Sequence, residues 1–378
     1  MPANPTYPGV YVEEVPTGAK LIEGVSTSST AFVGTAKRGP LRKPKRVTSF
    51  LEYKQTFGDL IAGSEMGYAV KQFFANGGID AWIVRVSKSG TASSGLKLKA
   101  SDLAKLDAAK DLSLLCLPGV GDATSLAAAD AYCKSRWMFL IVDAPKSAAL
   151  PADMLAAAAN LPKSESAAVY YPWINIADPL AGGKSRLSAP SGAIAGMYAR
   201  VDAKRGVWKA PAGNEATLSE VLSLAHAVTD LESGTLNSQG VNSLRALPDQ
   251  GIVAWGARTL IAARQANSEW KYVNVRRLFL FLERSIDEGL QWVVFEPNDE
   301  ALWARVRTTV SSFLNRLFLA GAFQGSTSRD AWFVRCDRTT MTQDDIDNGR
   351  LICEVGFAPV KPAEFVIFRI GKMTSSSP

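Results

Sequence analysis

Histidine chemistry in this sequence depends on a single residue. His226 is the only histidine among the 378 residues, so a histidine metal cluster is excluded and any Ser–His–Asp triad would have to use it. No G-x-S-x-G turn, the usual setting of a nucleophilic serine in α/β hydrolases, is present in the sequence. We therefore predict that His226 is a polar position on a helix over residues 222–228.

A glycine-rich turn at residues 119–124, Gly-Val-Gly-Asp-Ala-Thr, is the most suggestive motif. It follows a predicted strand over 112–117 and opens a helix, and the next strand ends at Asp143, where a Rossmann fold places the acid that binds a ribose. In a Rossmann motif the third glycine lets the helix pack closely on the sheet. Thr124 stands at that position here, and its side chain would hinder such packing. A nucleotide-binding α/β enzyme using residues 112–145 is therefore the alternative function.

A second glycine motif, Gly-Gly-Lys-Ser at residues 182–185, resembles the end of a phosphate loop. The full pattern needs a glycine at position 178, which is Asp178 here. Nothing in the sequence assembles a nucleophile, a base and an oxyanion site. The sequence thus predicts no catalytic, cofactor-binding or metal-binding residues, no cofactor, and a protein that is not an enzyme.

The composition is ordinary for a globular protein, with 47% hydrophobic and 21% charged residues. No apolar run approaches the roughly 18–20 residues that cross a bilayer, so we expect no membrane partner. The first residues lack a signal-peptide pattern, which predicts a chain made and kept in the cytoplasm. We expect the four widely spaced cysteines to be reduced and mostly buried; they are Cys116, Cys133, Cys336 and Cys353.

Part of the net charge of +6 comes from residues 37–46, which hold six lysines and arginines. Such a run is either a solvated loop or a contact with an acidic surface, a protein or a nucleic acid. No aromatic residues interleave the cations, which argues against single-stranded nucleic acid. We expect no nucleic-acid partner.

The elements that would position any site alternate between strand and helix over residues 102–205. Strands are predicted at 112–117, 137–142 and 167–171, and this alternation predicts a parallel sheet of βαβ units. Residues 87–101 are rich in serine, glycine and lysine and suggest a domain boundary.

The C-terminal part combines long helices with strands. Helices are predicted over 274–288 and 299–320, and strands over 292–296, 332–337, 351–357 and 365–370. The second helix has a continuous apolar face, so the arginines on its opposite flank are expected to be exposed. These are Arg305, Arg307 and Arg316.

Both ends of the chain look like extended arms. Residues 10–15, which include Val10, Tyr11 and Val12, are predicted to form a short strand with no hairpin partner nearby, and the predicted strand at 365–370 is apolar on both faces. A lone strand must pair with a sheet edge elsewhere. Addition to a neighbouring subunit would explain both, although pairing within the same chain stays open. The candidate inter-subunit residues are Val10, Tyr11, Val12, Phe365, Val366, Ile367 and Phe368.

Several separated motifs resemble contractile tail sheath proteins, in the expected order. At the start these are residues 7–14 (Tyr-Pro-Gly-Val-Tyr-Val-Glu-Glu), 24–28, 31–34, 47–50, 57–58 and 70–78. A middle segment is Pro-Ser-Gly at 190–192 with Gly196. Towards the end they are residues 255–260, 270–278, 295–298 (Phe-Glu-Pro-Asn), 349–351 and 362–365. The short chain is most similar to the compact sheaths of extracellular contractile injection systems and pyocin-like particles.

The resemblance implies a structural subunit that stacks in sixfold rings, as a helical polymer, around an inner tube protein. Contraction would drive the tube through a target envelope without a cofactor or hydrolysis. It further implies baseplate and terminator or cap proteins as partners, and a place in a phage virion or a bacterial particle assembled in the cytoplasm. A non-contractile capsid or baseplate-like protein is a third possibility.

The expected fold class is α/β, with an α+β inner domain, an inserted βαβ-type outer domain and extended N- and C-terminal arms. The expected boundaries are an arm at 1–20, an inner domain of 21–90 with 250–362, an outer domain at 102–205, a return segment at 206–249 and an arm at 363–378. The resemblance also points to the inner domain as the part facing the tube, with Arg305, Arg307 and Arg316 as the candidate contacts.

Overall fold

The computed structural model describes residues 21–87, 96–263, 265 and 267–365. These residues form two compact units. The larger contains residues 25–283 and 359–365, and the smaller contains residues 21–24 and 284–358. Among the helices of the described residues, none is long and apolar enough to cross a membrane.

The larger unit is built on one mixed sheet with helices on both faces. Its strands are β1 (Thr30–Thr35), β2 (Lys45–Val47), β3 (Ala81–Ser87), β4 (Leu114–Cys116), β5 (Phe139–Asp143), β6 (Ala167–Tyr171), β7 (Ile174–Asp178), β8 (Lys184–Ser188), β9 (Ser223–Leu224), β10 (Val241–Leu247) and β11 (Gly251–Ala254). Its helices are α1 (Phe50–Phe57), α2 (Glu65–Ala75), α3 (Ala100–Leu103), α4 (Ala123–Ser135), α5 (Pro151–Ala158), α6 (Ser191–Arg205) and α7 (Asp230–Ser238). Helix α8 (Val273–Gly289) contains the boundary between the units.

Within the described residues, eight strands form the main sheet in the order β11-β10-β6-β5-β4-β1-β3-β2. The neighbouring pairs from β3 through β10 are parallel, and β2 and β11 pair antiparallel at the two edges. The predicted βαβ pattern over 102–205 is confirmed by β4, β5 and β6. The chain reverses its direction of winding between β1 and β4, and such a point is where α/β folds usually bind ligands.

Residues 102–205, the predicted outer domain, share one sheet with the chain before and after them. Strand β1 pairs directly with β4, with Phe32 opposite Cys116, so the segments before and after residues 87–101 share one sheet. Strand β10 lies in the predicted return segment and pairs with β6, with Val241 opposite Val169. The chain between residues 87 and 101 connects β3 to β4, which lie on either side of β1 in the same sheet.

Each face of the sheet buries its own core, because successive side chains of a strand point to opposite sides. Phe32, Ile141 and Tyr170 belong to the core that α2 and α6 cover. Alternate strand residues belong to the core that α4, α5 and α7 cover. Helices α2 and α6 pack very closely: a Cβ atom at Gly192 would lie 2.1 Å from the backbone oxygen of Ala69.

The smaller unit contains α9 (Glu300–Leu319), α10 (Ser328–Ala331), β12 (Trp332–Arg335), α11 (Gln343–Asp347) and β13 (Glu354–Phe357). Helix α9 confirms the prediction over 299–320, and Asp299 caps it by accepting from the amide of Leu302 at 2.8 Å. The predicted strand at 292–296 is wrong: Gln291–Val293 is a 3₁₀ turn, and Phe295 has a φ of 68°. The β-branched composition of this segment favours a strand, but no partner strand pairs with it among the described residues.

Candidate functional site

The glycine-rich turn at residues 119–121 is held by Asp143 at the end of β5. This carboxylate, 2% exposed, accepts from the Gly119 amide at 3.1 Å. It also accepts from the Ser191 amide at 2.7 Å and the Ser191 hydroxyl at 2.8 Å, at the start of α6. Both carboxylate oxygens are thus bonded to the chain itself. Asp143, the residue that would bind a ribose in a Rossmann fold, here connects the turn to the start of α6.

The electrostatics of Asp143 agree with a structural role. Burial raises the pKa of Asp143 to about 6, and the bonds from Gly119 and Ser191 oppose that rise. A carboxylate at a helix N-terminus also receives favourable interaction with the helix dipole. The Gly119 amide of the turn is thus already bonded to a buried carboxylate, and this geometry gives no support to the enzyme alternative.

The remaining chemical motifs also have structural settings. Residues 182–185 cover the end of the turn between the antiparallel strands β7 and β8 and the start of β8, and they do not lie between a strand and a helix as in a phosphate loop. His226 precedes α7, and its Nε2 lies 3.3 Å from Glu232; the prediction of a helix over 222–228 is wrong. Among the described residues, no cluster of three histidine, cysteine or acidic side chains could hold a metal.

The basic stretch at 37–46 is an exposed loop whose arginines are used internally. Arg42 pairs with Asp102 at 3.2 Å and Arg46 with Asp80 at 2.7 Å. Arg38 donates to the backbone oxygen of Gln55 at 2.8 Å. The lysines of this loop are exposed. The loop therefore stays compatible with both a solvated segment and a contact with an acidic surface.

The three arginines of α9 have different surroundings. Arg305 is exposed, lies over the Trp292 ring and pairs with Glu296 at 3.2 Å. Arg307 is half-buried and donates to the backbone oxygen of Cys336. Arg316 is exposed and donates to the backbone oxygen of Ile22. Arg305 and Arg316 are therefore available on the surface, whereas Arg307 is engaged inside its own unit.

The root of the C-terminal arm is fixed by a partly buried charge cluster. Glu364 accepts two hydrogen bonds from Arg258, at 2.8 and 2.7 Å, and one from Tyr272 at 3.0 Å. The Lys271 Nζ atom lies 3.7 Å from the Glu364 Oε2 atom. Two parallel bonds from one guanidinium give a strong and directional contact. Phe365, which follows immediately, is 73% exposed.

The root of the N-terminal arm is fixed differently. Ile22 is fully buried against α8, where a Cβ at Gly289 would lie 2.7 Å from it, and its oxygen accepts from Arg316. The arm residues Val10, Tyr11, Val12, Val366, Ile367 and Phe368 lie outside the described residues. The cluster around Glu364 was not predicted, although Arg258 and Glu364 both belong to segments that resemble the sheath family, residues 255–260 and 362–365.

Strands β12 and β13 form a two-stranded antiparallel ribbon. Within the described part of the chain they pair only with each other, with Trp332 opposite Phe357 and Arg335 opposite Glu354. Each strand therefore has a second edge of backbone N–H and C=O groups without a strand partner among those residues. Such edges are templates for adding a further strand.

Comparison with known proteins covers almost the whole chain. The family model described as phage tail sheath protein central domain matches residues 93–260, and the phage tail sheath C-terminal domain model matches residues 265–371. The tail sheath protein of Vibrio phage KVP40 is 28% identical over 178 residues, which are 47% of this chain and 25% of that protein. The match thus spans a quarter of the length of this curated relative.

Solved structures match over their full length. The chain of the PVC sheath complex of an extracellular contractile injection system, in the contracted state, is 31% identical, with a TM-score of 0.80 and 98% of each chain covered. A chain of the anti-feeding prophage baseplate, reconstructed with sixfold symmetry, is 32% identical, with a TM-score of 0.75, over 98% of this chain and 100% of the other. The mixed α/β fold, the motif order and these matches agree, and the chain belongs to the contractile tail sheath family.

Proposed function

We propose that this chain is a structural subunit that polymerises in sixfold rings around an inner tube, and that contraction of the polymer drives the tube through a target envelope. The full-length similarity to a sheath complex in its contracted state carries this proposal. The similarity to a sixfold-symmetrised baseplate chain supports the ring symmetry and contact with a baseplate. The inner tube protein and a terminator or cap protein complete the partners, with assembly in the cytoplasm.

The arms are the proposed connections between subunits. Each arm adds a strand to the ribbon β12–β13 of a neighbouring subunit, one arm on each edge. The ribbon edges, which have no strand partner among the described residues, support this, as do the anchored roots at Ile22 and Glu364, because a fixed root limits where the segment beyond it can reach. Each main-chain hydrogen bond gained would stabilise the contact by about 0.5–1.5 kcal/mol.

Electron microscopy of the purified chain tests this function. The intact chain should form long hollow polymers, and deletion of residues 1–17 should leave a folded monomer that does not polymerise. Deletion of 374–378, beyond the predicted strand at 365–370, is the matched control and should polymerise normally. Normal polymers from the 1–17 deletion would contradict the arm proposal, and discrete particles from the intact chain would contradict the sheath itself.

The proposed tube contact uses the exposed arginines of α9. Arg305 and Arg316 are exposed and carry positive charge at the edge of the face of α9 that buries Leu302, Val306 and Phe313. A sheath must hold its tube before firing and release it afterwards. Exposed ion pairs suit that requirement, because each contributes only about 0–1 kcal/mol and breaks without moving apolar surface through water. Arg307 completes the set predicted from the sequence, although its bond to Cys336 makes it the weakest member.

A further inference from the structure

Two of the four cysteines lie next to each other at one end of the ribbon β12–β13. Arg335 is paired with Glu354 as the last residue pair of the ladder. Cys336 follows the first and Cys353 precedes the second, so they occupy the next opposed positions. Opposed residues of an antiparallel pair have Cα atoms about 4.5–5.5 Å apart. That spacing lies inside the range of about 4.4–6.8 Å that a disulfide spans.

The two thiols influence each other. The neighbouring Cys353 thiol lowers the pKa of Cys336, and the positive charge of Arg307 lowers it further. The Cys336 sulfur and partial burial raise the pKa of Cys353. Cys336 is therefore the sulfur that holds a negative charge more readily, and a thiolate is the reactive form in disulfide exchange.

The other two cysteines provide an internal contrast. Cys116 and Cys133 are fully buried in the larger unit, on opposite faces of the main sheet. Burial raises the pKa of both thiols well above the ordinary value. Cys353 is partly exposed and gives solvent access to the pair at the ribbon, whereas Cys116 and Cys133 have no such access.

We propose that Cys336 and Cys353 are a reversible dithiol–disulfide site that closes the end of the ribbon β12–β13 when the protein meets a small-molecule disulfide oxidant. In the first step the Cys336 thiolate takes the proton of the more exposed Cys353 thiol, the Cys353 sulfur attacks the oxidant RSSR, and RS⁻ leaves. That RS⁻ takes the proton back from Cys336. The Cys336 thiolate then attacks the Cys353 sulfur and expels the second RS⁻. Two thiols are oxidised, and one disulfide is reduced to two RS groups.

The site lies where it can affect assembly. The bond would close the loop 337–352, which contains α11, and fix the register of the ribbon at the end next to Arg335 and Glu354. A thiol pair stays reduced in a cytoplasm and is oxidised outside it. The site would therefore be open while subunits assemble and closed in a released particle. This inference stands on the ribbon alone and does not depend on the arm proposal.

The test is titration of thiols in the folded full-length chain after equilibration in buffers of increasing oxidised-to-reduced glutathione ratio. The number of free thiols should fall from four to two, with a mass loss of two hydrogens and a peptide linking Cys336 to Cys353. Cys353→Ser should leave the three remaining thiols reduced. Cys336→Ser should stop at a glutathione adduct on Cys353, and Cys336→Ala serves if the serine variant does not fold.

The matched control is the Cys116→Ser, Cys133→Ser double variant, which should lose the same two thiols as the parent at the same glutathione ratio. Four free thiols in the folded parent at every ratio would overturn the proposal. A linking peptide that forms only after denaturation would overturn it as well, because the native register would then have no part in it.

Discussion

Replacing Glu364 by glutamine tests whether the charge cluster holds the root of the C-terminal arm. The glutamine keeps the shape of the side chain but removes its charge, so Arg258, whose side chain is only 10% exposed, loses its carboxylate partner. Loss of one partner of a buried ion pair costs about 3–5 kcal/mol. Glutamine still accepts one hydrogen bond, so we expect about 2–3 kcal/mol for E364Q.

Thermal unfolding and hydrogen exchange measure this cost. A loss of 2–3 kcal/mol should lower the melting temperature by about 4–8 °C, and amide exchange over residues 359–365 should accelerate. The matched control is E215Q, because Arg205 also binds Glu215 through two bonds, at 3.0 and 2.9 Å, but its side chain is 50% exposed. For that exposed pair we expect about 0–1 kcal/mol.

The pH dependence gives an independent check on the same residue. Burial acts to raise the pKa of Glu364, but the bonds from Arg258 and Tyr272 prevail and lower it. A depressed carboxyl pKa stabilises the folded state above the ordinary value, and this stabilisation is lost as the pH falls through the lower folded value. The parent should therefore lose stability in that acidic window more steeply than E364Q. Equal melting temperatures for E364Q and E215Q, or parallel acid profiles for parent and E364Q, would refute the anchor.

Three further predictions address the rest of the molecule. Gly192→Ala should destabilise the larger unit by more than about 2 kcal/mol, because its Cβ would overlap a backbone oxygen of α2, whereas Gly234→Ala, with open space around it, should be neutral or slightly stabilising in urea unfolding. Asp143→Asn should cost about 1–3 kcal/mol at neutral pH, and, since burial raises the pKa of Asp143 to about 6, the parent alone should gain stability from this group as the pH falls from 6 towards 4. Reversing Arg305 to glutamate should leave the circular-dichroism melt almost unchanged, because Arg305 makes only an exposed pair with Glu296, but it should reduce sheath-on-tube assembly in a pelleting assay, most strongly at low salt; full tube coating at low salt would show that the contact lies elsewhere.

The parallel sheet could be predicted because apolar strands alternate with helices over 112–171, a local pattern. The pairing of β1 with β4 could not, because it joins segments about eighty residues apart by a tertiary choice that no local pattern encodes. Strand β10 was missed because its sequence is partly polar. Asn242 is buried there and bonds to the backbone oxygens of Val169 and Arg258, so polar side chains occupy positions where a strand pattern requires apolar ones.

The site was predicted unevenly for similar reasons. The exposure of Arg305 and Arg316 could be predicted because the apolar residues of α9 recur with helical periodicity and so identify the buried face. The engagement of Arg307 with the Cys336 backbone and of Glu364 with Arg258 depends on residues 29 and 106 positions apart. Long-range pairs of this kind leave no spacing signal in one sequence.

The two edges of the ribbon β12–β13 have no strand partner among the described residues, and the proposed addition of the arms to them has a consequence for growth. A subunit that both gives strands to its neighbours and receives strands from them has no natural last member, since the final ring always offers unfilled edges. Polymer length then cannot be encoded in such a subunit. It must be measured by something else, such as the length of the tube being coated, and stopped by a different protein that fills the edges without offering new ones.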